Sequence, residues 1–240
     1  MASPTTTVTA GAYLRRAAAS SLGAKVLMAA SGLLFYGWLA LHLFGNLSIF
    51  AGQETFNEYA HLLQSKPALL WGQRIGLLAV VLTHIGTGIM LTRRNQAARP
   101  QPYQSPRHWR QASLASRTMA VSGFVVLAFL VFHLLHFTGG LVLSEFYAKA
   151  PTDPTKIPDV FSMVSRSFHT PWVALVYLVG MGFIGMHLSH AVWSATQTLG
   201  LNGPKWTPFA KTLGFILGVG IAAAFALIPA ANLADIIKVP

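Results

Sequence analysis

Six histidines lie deep within stretches that carry no charged side chain: His42, His84, His133, His136, His187 and His190. An ionisable group in an apolar span is costly and usually functional. None of the six has an acid in its own stretch to pair with. Two roles suit a neutral imidazole in such a place: hydrogen-bonded glue between helices, or metal ligation. The chain has no cysteine, so it forms no disulfide and offers no thiol nucleophile and no thiolate to a metal cluster or a covalent cofactor. His61, His108 and His169 fall in connecting segments, where a solvated side chain is expected.

The stretches that hold the six histidines define the architecture. Of 240 residues, 53% are hydrophobic and 10% charged, against about 25% charged in soluble domains. Charged residues cut the chain into uncharged runs at 26–53, 75–92, 118–144, 167–204 and 212–234. A spanning helix needs about 20 mostly apolar residues. Each run meets or approaches this length, the second by extension back through Leu69, Leu70 and Trp71. The sequence therefore predicts an all-α membrane protein: one integral-membrane domain over 1–240, with five transmembrane helices at about 25–50, 69–92, 117–143, 171–198 and 209–230. A set of core helices in a large soluble protein is a poor alternative, because too few polar residues remain to make its surface. Residues 1–24 are polar and include Arg15 and Arg16. No cleavable signal peptide is expected there, and 12–24 reads as a short helix on the membrane surface.

Basic residues favour cytoplasmic loops. With the N-terminus inside, the inner segments hold eleven Lys and Arg and no acid, while the outer segments hold six Lys and Arg and all six acids. The net charge of +11 then sits wholly on the inner face. The expected orientation is N-terminus in the cytoplasm and C-terminus outside. The basic face suits anionic lipid headgroups or a docked partner with acidic patches.

Depth sorts the histidines into two layers. The first and third helices run outward, and His42 and His133 lie past their midpoints, toward the outside. The second and fourth run inward, and His84 and His187 lie past their midpoints, toward the inside. At 1.5 Å per residue these offsets are about 4–8 Å from the midplane, so the layers are roughly 10–15 Å apart. Each layer has one imidazole from each of two helices, the axial pair that a six-coordinate haem requires. The expected architecture is a bundle enclosing two haems b, with His42, His84, His133 and His187 on the irons. A weak internal repeat accompanies this. Ser31-Gly32 precedes His42, and Ser122-Gly123 precedes His133, the glycine ten residues before the histidine each time. Ten residues is close to three turns, so glycine and histidine share a face on which a bulky ring or another helix can approach. His136 and His190 each follow a chosen ligand by three residues and are alternative ligands. Otherwise they are expected to hydrogen-bond haem propionates, quinone or neighbouring helices.

With these features in place, the chain resembles the cytochrome b membrane-anchor subunit of succinate dehydrogenase and fumarate reductase, in its single-polypeptide, five-helix, dihaem form. The matching stretches are SGLLFYGWLALHLFGNLSIF with His42, FNEYAHLL after it, LTHIGTGIML with His84, SGFVVLAFLVFHLLHFTGG with His133, and MHLSHAVWSATQTLGL with His187. The resemblance covers about 22–230 and rests on the order and spacing of motifs that are individually weak. It implies a prokaryotic cell-membrane protein of complex II, placed in the respiratory chain and the tricarboxylic acid cycle. His42 and His133 would hold the outer, distal haem, and His84 and His187 the inner, proximal one. A flavoprotein (FAD) subunit and an iron–sulfur subunit would dock on the cytoplasmic face, and electrons would pass to or from menaquinone. For the quinone it implies either Glu58, His61 and Gln64 outside, or Lys25, Ser116 and Arg117 inside, and the residues leave both open.

The chain has no flavin or iron–sulfur motif, so no succinate-oxidising site is expected on it alone. Phe35, Trp38, Phe44, Phe129 and Phe132 are candidates to pack against a haem. Arg93, Arg94 and Arg117 either bind inner propionates or mark the membrane interface. Three other readings stand beside this one. One is the dihaem anchor of a formate dehydrogenase, nitrate reductase or hydrogenase. Another is a membrane di-iron enzyme, whose histidines would gather at one depth with carboxylates. The last is a transporter with histidine proton relays.

Overall fold

The computed structural model describes residues 11, 20–98, 101, 114–148 and 157–239. Among these residues the chain is helical, with no strand. In chain order the helices are α1 (Ser21–Leu47), α2 (Gln53–Gln64), α3 (Pro67–Ala97), α4 (Leu114–Arg117), α5 (Met119–His133), α6 (Val160–Phe168), α7 (Pro171–Thr198) and α8 (Trp206–Leu233). A 3₁₀ turn over Ser48–Ala51 continues α1, and a π turn over Leu134–Thr138 continues α5. Five segments, built on α1, α3, α5, α7 and α8, are long and apolar enough to cross a membrane.

Local chemistry sets the ends. The Ser20 hydroxyl accepts from Gly23 N at 3.0 Å and starts α1. Pro67 and Pro171 open α3 and α7, where the missing N–H of proline would have no partner anyway. Gly52, at φ 101°, turns the chain from the 3₁₀ segment into α2, a conformation open mainly to glycine.

The fourth span coincides with its predicted bounds, and the others shift. Helix α1 runs from Ser21 to Leu47 instead of 25–50, because its last turn tightens to 3₁₀. Helix α3 begins at Pro67 and continues past residue 92, through Arg93 and Arg94, to Ala97. The third span ends at Thr138, short of 143, because the chain unwinds through Gly139 and Gly140. Helix α8 covers 206–233 in place of 209–230. The surface helix expected at 12–24 lies mostly outside the described residues, and its last residues belong to α1. His108 also lies outside them.

Helix α7 is the hub. Its contact with α8 is the most extensive in the molecule and is made by small residues. A Cβ on Gly218 would lie 2.5 Å from Ser189 N, one on Gly214 3.0 Å from Ser189 O, and one on Gly185 3.0 Å from the Ala222 Cβ. Such residues let membrane helices approach closely. Helix α1 packs against α3, α7 and α8. Among the spanning helices, α3 rests on α1 and α5 rests on α7, while the pairs α1–α5 and α3–α7 are not among the closely packed ones. Side chains of those diagonal pairs face each other across wider gaps.

One end of the bundle is closed by α2 lying on α6, two amphipathic helices that the sequence reading left within connections. Phe56 of α2 meets Phe161 of α6 edge to face. Asp159 caps α6 by accepting from Ser162 N at 3.1 Å, and it also accepts from Asn57 Nδ2 and Gln53 Nε2, both at 3.0 Å. The Asn57 carbonyl accepts from Phe161 N at 2.8 Å. Partial burial raises the Asp159 pKa, but the hydrogen bonds from Ser162, Asn57 and Gln53 outweigh it and hold the carboxyl below its ordinary value. This end is called the clamp end below. His169, expected to be solvated, is half-buried there, with Nδ1 2.7 Å from Ser165 O and Nε2 3.1 Å from Asp235 Oδ1.

Candidate cofactor site: two histidine pairs

The four expected ligands come together two by two. His42 of α1 and His133 of α5 have ring centroids 6.0 Å apart and planes at 80°. His84 of α3 and His187 of α7 have centroids 6.2 Å apart and planes at 75°. Each pair bridges one of the diagonal gaps. The first pair lies near the clamp end, five residues before α1 and the π turn finish. The level of the second pair is marked on α1 by Gly32, whose added Cβ would touch His84, and on α5 by Gly123, whose added Cβ would touch His187. On both helices the clamp-end histidine lies ten residues further on, a rise of about 15 Å.

Of the two occupants the sequence allowed on the Ser-Gly face, a bulky ring or another helix, the structure shows the neighbouring helix, which brings its histidine there. A Cβ on Gly32 would lie 3.1 Å from His84 Cε1, and one on Gly123 would lie 3.4 Å from His187 Cε1. The serine beside each glycine takes part as well. Ser31 Oγ donates to Leu27 O at 2.7 Å and lies 3.5 Å from His84 Nδ1, which is 3.3 Å from Met28 O. A carbonyl only accepts, so His84 carries its proton on Nδ1 and keeps the Nε2 lone pair free. Ser122 Oγ donates to Met119 O at 3.2 Å and lies 3.2 Å from His187 Nδ1, the same arrangement.

The clamp-end pair is held by aromatic rings. Trp38 stacks on His42 with centroids 4.8 Å apart, and Phe35 stacks on Trp38. Phe129 stacks on His133, also four residues before its histidine. Asn46 donates to His42 O at 2.7 Å with its Nδ2 beside the ring nitrogens. Phe225 of α8 lies against His42. Phe132 packs on His136, Trp172 and Tyr177, away from the His42–His133 gap, and Phe44 is 76% exposed on the outer surface of the bundle. His136 and His190 belong to neither pair. His136 is buried between Tyr177 and Ser167, while His190 is only half-buried, three residues beyond His187.

The residues considered for a quinone do not converge. Glu58, His61 and Gln64 stand on the exposed face of α2, Lys25 is exposed in the first turns of α1, and Ser116 and Arg117 end the short helix α4. Arg93 and Arg94 are exposed at the end of α3. Tyr177, Ser167 and Asn46 were not singled out from sequence as site residues, and Ser31 and Ser122 stood out only as part of the repeat. A signal existed for Tyr177, which stands ten residues before His187 on α7, at the level of the other pair.

The pairs can be tested against a metal group. Imidazole binds first-row metals at about 2.0–2.1 Å, so two such ligands on opposite sides of one ion have ring centroids about 6.3 Å apart. Both pairs match this separation. Among the described residues no group of three or more His, Cys, Asp or Glu gathers as it would round a bare ion. Each pair would supply two nitrogen donors, so an ion held there would have to bring its remaining ligands with it. A metal macrocycle with two axial positions fits that donor set.

Comparison of the chain with known protein families, curated proteins and solved structures finds no match. Fold and site together define a multi-pass membrane protein, helical in its described residues, with two close imidazole pairs at different depths.

Proposed function

We propose that this chain is a dihaem cytochrome b, the membrane-anchor subunit of a succinate:quinone oxidoreductase. His42 and His133 hold one haem b, and His84 and His187 hold the other. The observation that carries this reading is the pairing itself: two imidazole couples with ring centroids 6.0 and 6.2 Å apart, each across a gap between helices that are not closely packed. The resemblance of the motifs around the four histidines to succinate dehydrogenase and fumarate reductase anchors supports the choice of enzyme.

When bound, a haem supplies a one-electron carrier whose potential is tuned by its axial ligands and their hydrogen bonds. The chain's own residues do the rest. Ser31 with Met28 O, and Ser122, fix the rings of the second pair. Trp38, Phe129 and Phe225 pack the first pair and keep water from it. Electrons then pass between an iron–sulfur subunit on the cytoplasmic side and menaquinone, and a flavoprotein subunit carries the succinate chemistry. The charge asymmetry of the loops supports a cytoplasmic N-terminus, with the clamp end outside.

The test is haem stoichiometry and visible spectra of purified variants. His84→Ala or His187→Ala should leave one haem, held by His42 and His133. His42→Ala or His133→Ala should leave the other. Two haems retained in every variant would reject the assignment. Co-purification with subunits of a formate dehydrogenase, nitrate reductase or hydrogenase would move the protein to another class of quinone-linked enzyme.

A further inference from the structure

A continuous hydrogen-bonded chain leads away from His133. Its Nδ1 is 3.2 Å from the Tyr177 hydroxyl, which is 3.1 Å from His136 Nδ1. His136 Nε2 is 3.2 Å from Ser167 Oγ, which donates to Met163 O at 2.7 Å. Tyr177, His136 and Ser167 are 5%, 3% and 1% exposed, so water does not stand in for any of these partners. The chain ties α5, its π turn, α7 and α6 together.

Donor counting fixes every proton when the two imidazoles are neutral, the form favoured in an apolar span with no acid in contact. Ser167 has one hydroxyl proton, committed to the Met163 carbonyl, so its oxygen accepts from His136 Nε2–H. His136 then has only a lone pair on Nδ1, which accepts the Tyr177 O–H. Tyr177, its proton engaged, accepts from His133 Nδ1–H. His133 is left with the Nε2 lone pair that a metal ion needs.

We infer that Tyr177, His136 and Ser167 form a proton-ordering relay that holds His133 in its ligating tautomer, with His136 a positioning residue and not a ligand. His136 lies in the π turn three residues after His133, and both imidazoles meet the same Tyr177 hydroxyl. The inference rests on the dihaem reading above.

The relay makes an unusual prediction about pairs of variants. Tyr177→Phe keeps the ring in its aromatic cluster and removes the hydroxyl. Both haems should remain. The haem on His42 and His133 should move to a higher midpoint potential, because His133 loses the acceptor that raises its basicity, while the other haem stays put. His136→Ala should do more damage. It frees the Tyr177 proton to donate to His133 Nδ1, which places a proton on Nε2 and blocks ligation. Clamp-end haem affinity should fall at least about 10-fold further than in Tyr177→Phe, because His133 is then held in the wrong tautomer and not merely left without its acceptor. Adding Tyr177→Phe to His136→Ala should restore occupancy to the level of Tyr177→Phe alone.

The readouts are haem per chain and a redox titration resolved by visible absorption on the purified, haem-replete protein. Retention of the His84–His187 haem serves as the folding control in every variant. Rescue of His136→Ala by Tyr177→Phe supports the relay, and additive loss in the double variant overturns it. Should His136→Ala lose both haems, Tyr177→Phe alone decides, and an unshifted clamp-end potential overturns the relay. A wild-type protein without haem would instead overturn the dihaem reading on which the relay stands.

Discussion

Replacing Gly32 by alanine adds one methyl group where the structure leaves room for less than one. The new Cβ would lie 3.1 Å from His84 Cε1 and 3.3 Å from its Nδ1, whereas carbon atoms rest at about 3.5–4.0 Å. The imidazole must retreat by about 0.5 Å to regain that contact distance. His84 Nδ1 is already 3.3 Å from Met28 O and 3.5 Å from Ser31 Oγ, so the retreat takes both beyond hydrogen-bonding range. Losing such a partner weakens metal affinity by about 10–100-fold. The helix itself gains, since alanine is favoured over glycine by about 1 kcal/mol in a helix interior, so the protein should remain folded. Gly123 is the matched control, because its Cβ would lie 3.4 Å from His187 Cε1 and 4.0 Å from Nδ1, an ordinary contact. Gly32→Ala should therefore speed loss of the His84–His187 haem to excess apomyoglobin by one to two orders of magnitude, and Gly123→Ala should barely change it. Equal effects of the two substitutions, or selective loss of the His42–His133 haem in Gly32→Ala, would refute the reasoning.

Other perturbations reach the same framework. Gly218→Leu drives a side chain into the backbone at Ser189 N, 2.5 Å from the Cβ position, where nothing flexible can yield. It should separate α7 from α8 at a cost of about 3 kcal/mol or more, read as lost detergent-solubilised protein or a large fall in Tm. Gly180→Ala places a methyl group 2.5 Å from Phe129 Cδ2 and pushes that ring against His133. It should cost about 1–3 kcal/mol and alter the spectrum of the clamp-end haem alone. The α2–α6 clamp should depend on pH. The folded Asp159 carboxyl titrates below its ordinary value, so its contribution is full above the ordinary carboxylate range and lost as pH falls through the depressed value. Hydrogen exchange in 53–64 should rise in that acid window for the wild type, and be elevated and flat across it for Asp159→Leu.

Five long apolar helices were legible in the sequence because charge so sharply divides the chain. The pairing of His42 with His133 and of His84 with His187 could be proposed from depth alone, since helix direction alternates and each imidazole sits off-centre in its span. What supports those rings was harder to read. The Ser-Gly repeat was visible, but its partner was not, because spacing within one helix says nothing about which residue of the next helix it meets. Hydroxyls such as Ser31, Ser122 and Ser167 bond back to their own helix, as they commonly do in apolar spans, and only the fold shows their second partner. Helices α2 and α6 hid in charged connections. Their apolar faces are one or two residues per turn and gain meaning only when Phe56 and Phe161 meet. The early end of the third span follows from Gly139 and Gly140, a break that an uncharged run up to residue 144 conceals.

The most direct test is a dithionite-reduced minus oxidised spectrum of the purified wild-type chain, with haem extracted and counted against protein. The account predicts the α and Soret bands of low-spin b-type haem, with two haems per chain. A colourless preparation from haem-sufficient cells, or one haem per chain with all four histidines intact, would contradict it.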